Sequence, residues 1–110
     1  MTEEEKLNVE VRDNKREDDH TVFIGTKPFM NYVTGVVMQF TTQGANEVLV
    51  KARGRFISRA VDVVEVATKR FLAGQVELKE NGIKIDSEEF QNKEGKQIRV
   101  STVEIAVIKK

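Results

Sequence analysis

Between Gly25 and Ala60 the cations Lys27, Lys51, Arg53, Arg55 and Arg59 face only one carboxylate, Glu47. Their spacing matters more than their number. Lys27 stands just before Pro28 and an amphipathic run. A helix starting there would turn unpaired backbone N–H groups and a positive dipole end toward any anion the ammonium attracts. The rival reading of Lys27 is an ordinary solvated loop lysine. Arg53-Gly54-Arg55 sets two guanidiniums around a residue with no side chain, so the backbone can approach a phosphate while the side chains fork onto its oxygens. The same three residues could instead be a capping turn whose arginines pair with a nearby acid such as Glu47. Arg59 follows Arg55 at i,i+4 on one helix face, with a local pair to Asp62 as its alternative. Asn31 and Tyr32 lie off the apolar stripe of the run after Pro28. Tyr32 could stack on an unpaired base and Asn31 could donate to a phosphate or base edge. Alternatively, they are a boundary aromatic and a first-turn polar residue.

Other chemistry finds little material. There is no cysteine and one histidine, His20, so neither a disulfide nor a thiolate metal site can form, and one imidazole does not make a metal centre. His20 has no evident serine partner, the glutamates are scattered, and the glycines spell no nucleotide-binding loop or Walker-type lysine. The expectation is a protein that is not an enzyme and uses no cofactor, metal or small-molecule substrate. No apolar run approaches 18 residues and the chain opens on TEEEK, which predicts a soluble intracellular protein with no membrane partner.

The formal net charge is zero, but it is unevenly spread. Residues 1–20 hold eight acidic against four basic groups, and the remainder holds 14 basic against 10 acidic. Residues 1–19 also lack periodic apolar positions and read as an acidic, flexible tail, leaving 20–110 as one domain. Within that domain, His20 to Gly25 reads as a buried strand. Phe29, Met30, Val33, Val36, Val37 and Phe40 form one stripe at about 100° per residue, predicting an amphipathic helix. Glu47–Ala52 reads as a second strand. A longer helix follows from Phe56 to about Leu72, with apolar residues over half its circumference, enough to meet another subunit as well as the sheet. Strands at about Val76–Ile85 and Gln97–Ile108 flank the polar Asp86–Lys96 segment as a hairpin, and the latter strand alternates Val103, Ile105 and Val107. The order βαβαββ, with a right-handed crossover in its first half, predicts an α/β chain of the α+β two-layer sandwich type. Both helices would lie on one face of a mixed four-stranded sheet.

Three segments in order, Ile24-Gly25-Thr26-Lys27-Pro28-Phe29-Met30-Asn31-Tyr32, Val50-Lys51-Ala52-Arg53-Gly54-Arg55 and Ile57-Ser58-Arg59-Ala60-Val61-Asp62, resemble the signature of the Alba family. Arg70-Phe71-Leu72 and Val100-Ser101-Thr102-Val103-Glu104-Ile105 extend the resemblance over residues 21–110. It implies a fold similar to the C-terminal domain of translation initiation factor three, assembled as a homodimer. It also implies archaeal, chromosome-associated binding of double-stranded DNA without sequence preference, contributing to compaction in the cytoplasmic nucleoid, with RNA binding common. The resemblance places Lys27 and the arginine-glycine-arginine turn on phosphate, Phe71 at a contact between neighbouring dimers, and hairpin residues such as Arg99 near the minor groove. A plain core role competes for Phe71, which falls in the apolar stripe.

The family often carries two lysines after the glycine, one of them reversibly acetylated. Here the first of the pair is Thr26, so acetylation would fall on Lys27. The hairpin tip carries Asp86, Glu88, Glu89 and Glu94, which repel phosphate and offset Lys93 and Lys96. Weaker, more salt-sensitive binding than that of a typical relative is therefore expected. Two further readings stay open: an RNA chaperone or an accessory protein of a ribonucleoprotein such as ribonuclease P, and a dimeric module whose basic patch binds acidic proteins.

Overall fold

The computed structural model describes residues 20–110, so the expected acidic tail 1–19 lies outside the described residues. Strand β1 (Thr21–Phe23) leads through a short loop to helix α1 (Phe29–Thr41) and strand β2 (Glu47–Arg53). A 3-10 turn (Gly54–Phe56) opens helix α2 (Ile57–Val66), which closes in a π-helical turn (Ala67–Phe71) before strands β3 (Val76–Gln91) and β4 (Gln97–Lys109). The sheet order is β1-β2-β4-β3, with β1 parallel to β2 and the other neighbours antiparallel. The mixed four-stranded sheet with two helices is the one the sequence predicts.

Registered apolar pairs tie the centre of the sheet together: Val48 with Val107, Val50 with Ile105 and Ala52 with Val103. All six side chains enter one core with Val33, Val36 and Phe40 of α1 and Ala60, Val63 and Val64 of α2, placing both helices over the same face. Alternation along the strands sends Leu49, Lys51 and Glu104 to the other face.

The stripe on α1 is shifted from the expected one. Met30 is exposed, whereas Tyr32, placed outside the stripe by its angle, is buried. On α2 the amide of Leu72 reaches back to the carbonyl of Ala67 at 2.9 Å. This i−5 bond widens the last turn and puts Leu72, rather than Phe71, beneath Ala67 on the buried side. Leu72 is 1% exposed and Phe71 51%, so the core role considered for Phe71 is corrected.

The hairpin is longer than expected. Its strands stay paired from Asp86 opposite Thr102 to Gln91 opposite Gln97, leaving only Asn92–Lys96 to turn. Exposure of every β3 residue from Asp86 to Gln91 explains why this arm lacks the alternation that marks half-buried strands. Near its base, Lys79–Gly82 of β3 are accommodated opposite the single residue Ala106. Only glycine fits at position 82, because a Cβ there would lie 2.7 Å from the Lys79 carbonyl oxygen and 3.1 Å from the Ala106 Cβ.

Candidate nucleic-acid interface

The loop between β1 and α1 is fixed by two residues from the helices. Tyr32 accepts a hydrogen bond at its hydroxyl from the Lys27 backbone N–H at 3.0 Å. Arg59, reaching across from α2, donates through Nη1 to the Gly25 carbonyl, and its guanidinium lies 5.6 Å from the Tyr32 ring centroid. Backbone and ring are thus held from both ends, leaving the Lys27 side chain exposed. Among the described residues, no ion pair engages its ammonium. Helix α1 has no acidic residue in its first turn, so no side chain there neutralises the positive end of the dipole beside Lys27.

These contacts revise two sequence expectations. Tyr32 is only 9% exposed and its ring is covered by Arg59, so it positions the loop and is not an open surface for a base. Arg59 pairs with the Gly25 carbonyl and the Tyr32 ring, not with Asp62. Asn31 is exposed beside this loop, its backbone N–H bonded to the Pro28 carbonyl at 2.9 Å.

Gly54 follows the last residue of β2 at φ +60°, a left-handed conformation that glycine adopts without the cost a Cβ imposes. The sharp change of direction separates the flanking arginines. Arg53 turns toward the hairpin and meets Glu88 Oε1 at 2.6 Å, in place of the considered Glu47. Arg55 is exposed with its guanidinium 4.5 Å from the Phe56 ring centroid. On the hairpin, Arg99 is paired with Glu89 at 2.7 Å, so the acids expected simply to repel phosphate also neutralise particular arginines.

An open groove lies between the β1–α1 loop and the base of the hairpin. It brings together Lys27, Arg53, Lys51 and the buried Tyr32, with Asp86 and Glu88 on its hairpin side. Arg55, Arg59, Asn31, Arg99 and Phe71 do not line it. Lys51 belongs to the basic stretch from Gly25 to Ala60. Its position on the outward-facing phase of β2 was the signal that could have singled it out.

The sequence profile of the family described as Alba matches residues 20–85. The chain belongs to the Alba family. It is similar to the DNA/RNA-binding protein Alba of Nanoarchaeum equitans, with 62% identity over 81% of this chain and 97% of that relative. A protein of the same name from Methanococcus maripaludis is 50% identical over 83% of this chain and 99% of its own length. Among solved structures, Alba from Thermoplasma volcanium superposes with a TM-score of 0.71 at 40% identity, covering 80% of this chain and 98% of that one. This Alba-family chain thus matches the family profile over the segment that carries the loop, the turn and the β1 and β2 side of the groove.

Proposed function

We propose that this Alba-family chain is an architectural nucleic-acid-binding protein that holds double-stranded DNA, and RNA, through phosphates and with little sequence preference. The observation that carries the reading is the exposed, pinned Lys27 at an un-neutralised helix N-terminus, facing Arg53 and Lys51 across one groove. A flexible ammonium beside a positive dipole end suits a phosphate, and none of these groups requires a particular base. The names of the relatives, which carry both DNA and RNA, support the same partners.

Arg53 takes part by exchange. Its pair with Glu88 is exposed, and such pairs contribute about 0–1 kcal/mol, little enough for a phosphate to replace the carboxylate. Arg55 and Asn31 extend the contact surface beside the groove, Arg99 adds little while Glu89 holds it, and acetylation of Lys27 would remove its charge and weaken the grip. The working unit is a homodimer. Leu78, Ile83 and Ile85 pair with the core residues Val107, Ile105 and Val103, yet stay 46%, 56% and 80% exposed on β3, an apolar edge suited to a second subunit. Exposed Phe71 is available for contacts between dimers aligned on nucleic acid. Chromosome compaction in the nucleoid follows from such an assembly, and no chemical step is required of any residue. The acidic segment 1–19 competes with nucleic acid for the basic groove and slackens binding.

Gel-shift titrations with two unrelated DNA duplexes and a structured RNA, each at two salt concentrations, test the reading. All should bind, the duplexes with equal affinity, and more weakly at the higher salt; deleting residues 1–19 should tighten binding at moderate salt. Binding confined to one duplex sequence, or to acidic proteins after nuclease treatment, would overturn it. A strong preference for the RNA would instead favour the ribonucleoprotein role.

A further inference from the structure

Burial of Tyr32 leaves its expected place as a stacking surface empty, and another aromatic lies open in the same groove. Phe23 is 65% exposed on the edge strand β1. Its neighbours Val22 and Ile24 turn into the core, so strand alternation sends the Phe23 ring to the opposite side of the sheet. There it registers beside Lys51, whose ammonium lies 5.8 Å from the ring centroid and 3.7 Å from Glu104. Lys51 approaches the ring, yet most of the Phe23 surface stays open to solvent.

We propose that Phe23 is a stacking platform for an unpaired base of single-stranded nucleic acid, a site that rests on the phosphate-binding reading above and adds base contact to it. The ligand chemistry follows from the surroundings. A ring face offers stacking to any base, whereas the unpaired Lys27 ammonium, with Lys51 and Arg53 able to exchange their exposed carboxylate partners, attracts the phosphates of the bound chain. A single-stranded polynucleotide supplies both at once. An apolar peptide or a lipid tail would leave the Lys27 ammonium unmatched. In a duplex the bases already stack on one another, so Phe23 adds affinity for single strands and nothing for double-stranded DNA. The carboxylates of Asp86, Glu88 and Glu104 in the groove repel phosphate, which keeps the strand on the β1 and β2 side.

The test uses the full chain and fluorescent single-stranded RNA and DNA carrying 2-aminopurine, with an unlabelled duplex measured in parallel. Phe23→Ala should weaken single-strand binding about tenfold and leave duplex binding within about twofold. Phe23→Leu, which keeps apolar bulk without a π face, should remain weak. Phe23→Trp should restore affinity, and because the natural chain has no tryptophan, its emission should report the stacked base directly. Circular dichroism should show the variants folded, as expected for a mostly exposed side chain. The proposal is overturned if Phe23→Ala leaves single-strand affinity unchanged, or if it lowers single-strand and duplex affinity alike. Failure of the unmodified chain to bind either polymer is a different result, and it removes the phosphate reading together with the stacking site.

Discussion

The β1–α1 loop and the β3–β4 hairpin both carry cations, but they hold them in opposite electrostatic states. In the loop, the neutral Tyr32 hydroxyl and the Arg59 guanidinium fix the backbone, and Lys27 keeps its charge open to solvent. On the hairpin, Arg99 is taken up by Glu89, and Glu88 reaches back to occupy Arg53. A count of basic residues alone would favour the hairpin, which holds six against one in the loop, but the hairpin also carries seven carboxylates. Their partners show that net charge available to a polyanion sits on the body, and that the hairpin moderates it. This separation is how a chain with a formal net charge of zero can still present a basic groove.

The largest expected contrast comes from removing one cation in each region. Lys27→Ala should lower duplex affinity about tenfold, whereas Arg99→Ala should change it by less than about twofold, because its carboxylate partner already offsets it. Equal losses in fluorescence-anisotropy titrations would erase the distinction between body and hairpin. Glu88→Gln is expected to act in the other direction. Freed from its carboxylate, Arg53 should raise duplex affinity about threefold at low salt, with the gain shrinking as salt screens the exposed pair. Unchanged affinity would mean that Glu88 does not restrain Arg53. A smaller effect than that of Lys27 or Glu88 should come from Tyr32→Phe. It removes the acceptor for the Lys27 N–H, and should lower thermal stability by about 1 kcal/mol while weakening binding about twofold. A loss on single strands alone would instead show Tyr32 acting as a base contact.

The sequence made the body of the fold legible because its periods are carried by half-buried elements. Val103, Ile105 and Val107 alternate since one side of β4 meets the helices, and Val33, Val36 and Phe40 repeat since one side of α1 meets the sheet. Tyr32 escaped that logic. Its flank of α1 is covered by the β1–α1 loop and by Arg59, 34 residues from Gly25 in sequence, and such a contact has no local period. The outer arm of β3, Asp86 to Gln91, resembles a turn in sequence because a strand exposed along its length shows no alternation. The π turn that sends Phe71 outward depends on a backbone bond one residue longer than the helical rule, which a fixed angle per residue does not anticipate. For the interface, the residue types around Lys27 and Arg53 were visible, but the pairing of Arg53 with Glu88, 35 residues away, was not. Neither was the exposure of Phe23, since a short apolar strand hides which of its residues is turned outward.

The central claim is that Lys27 and Arg53 meet one polyanion through its phosphates. It is tested most directly by measuring duplex-DNA affinity across a salt series for the unmodified chain and for the Lys27→Ala/Arg53→Ala double variant. Two lost phosphate contacts should make the plot of log K against log salt shallower by about 1.8, with the same change on unrelated duplex sequences. A slope that stays the same, or changes on one sequence alone, would contradict the account.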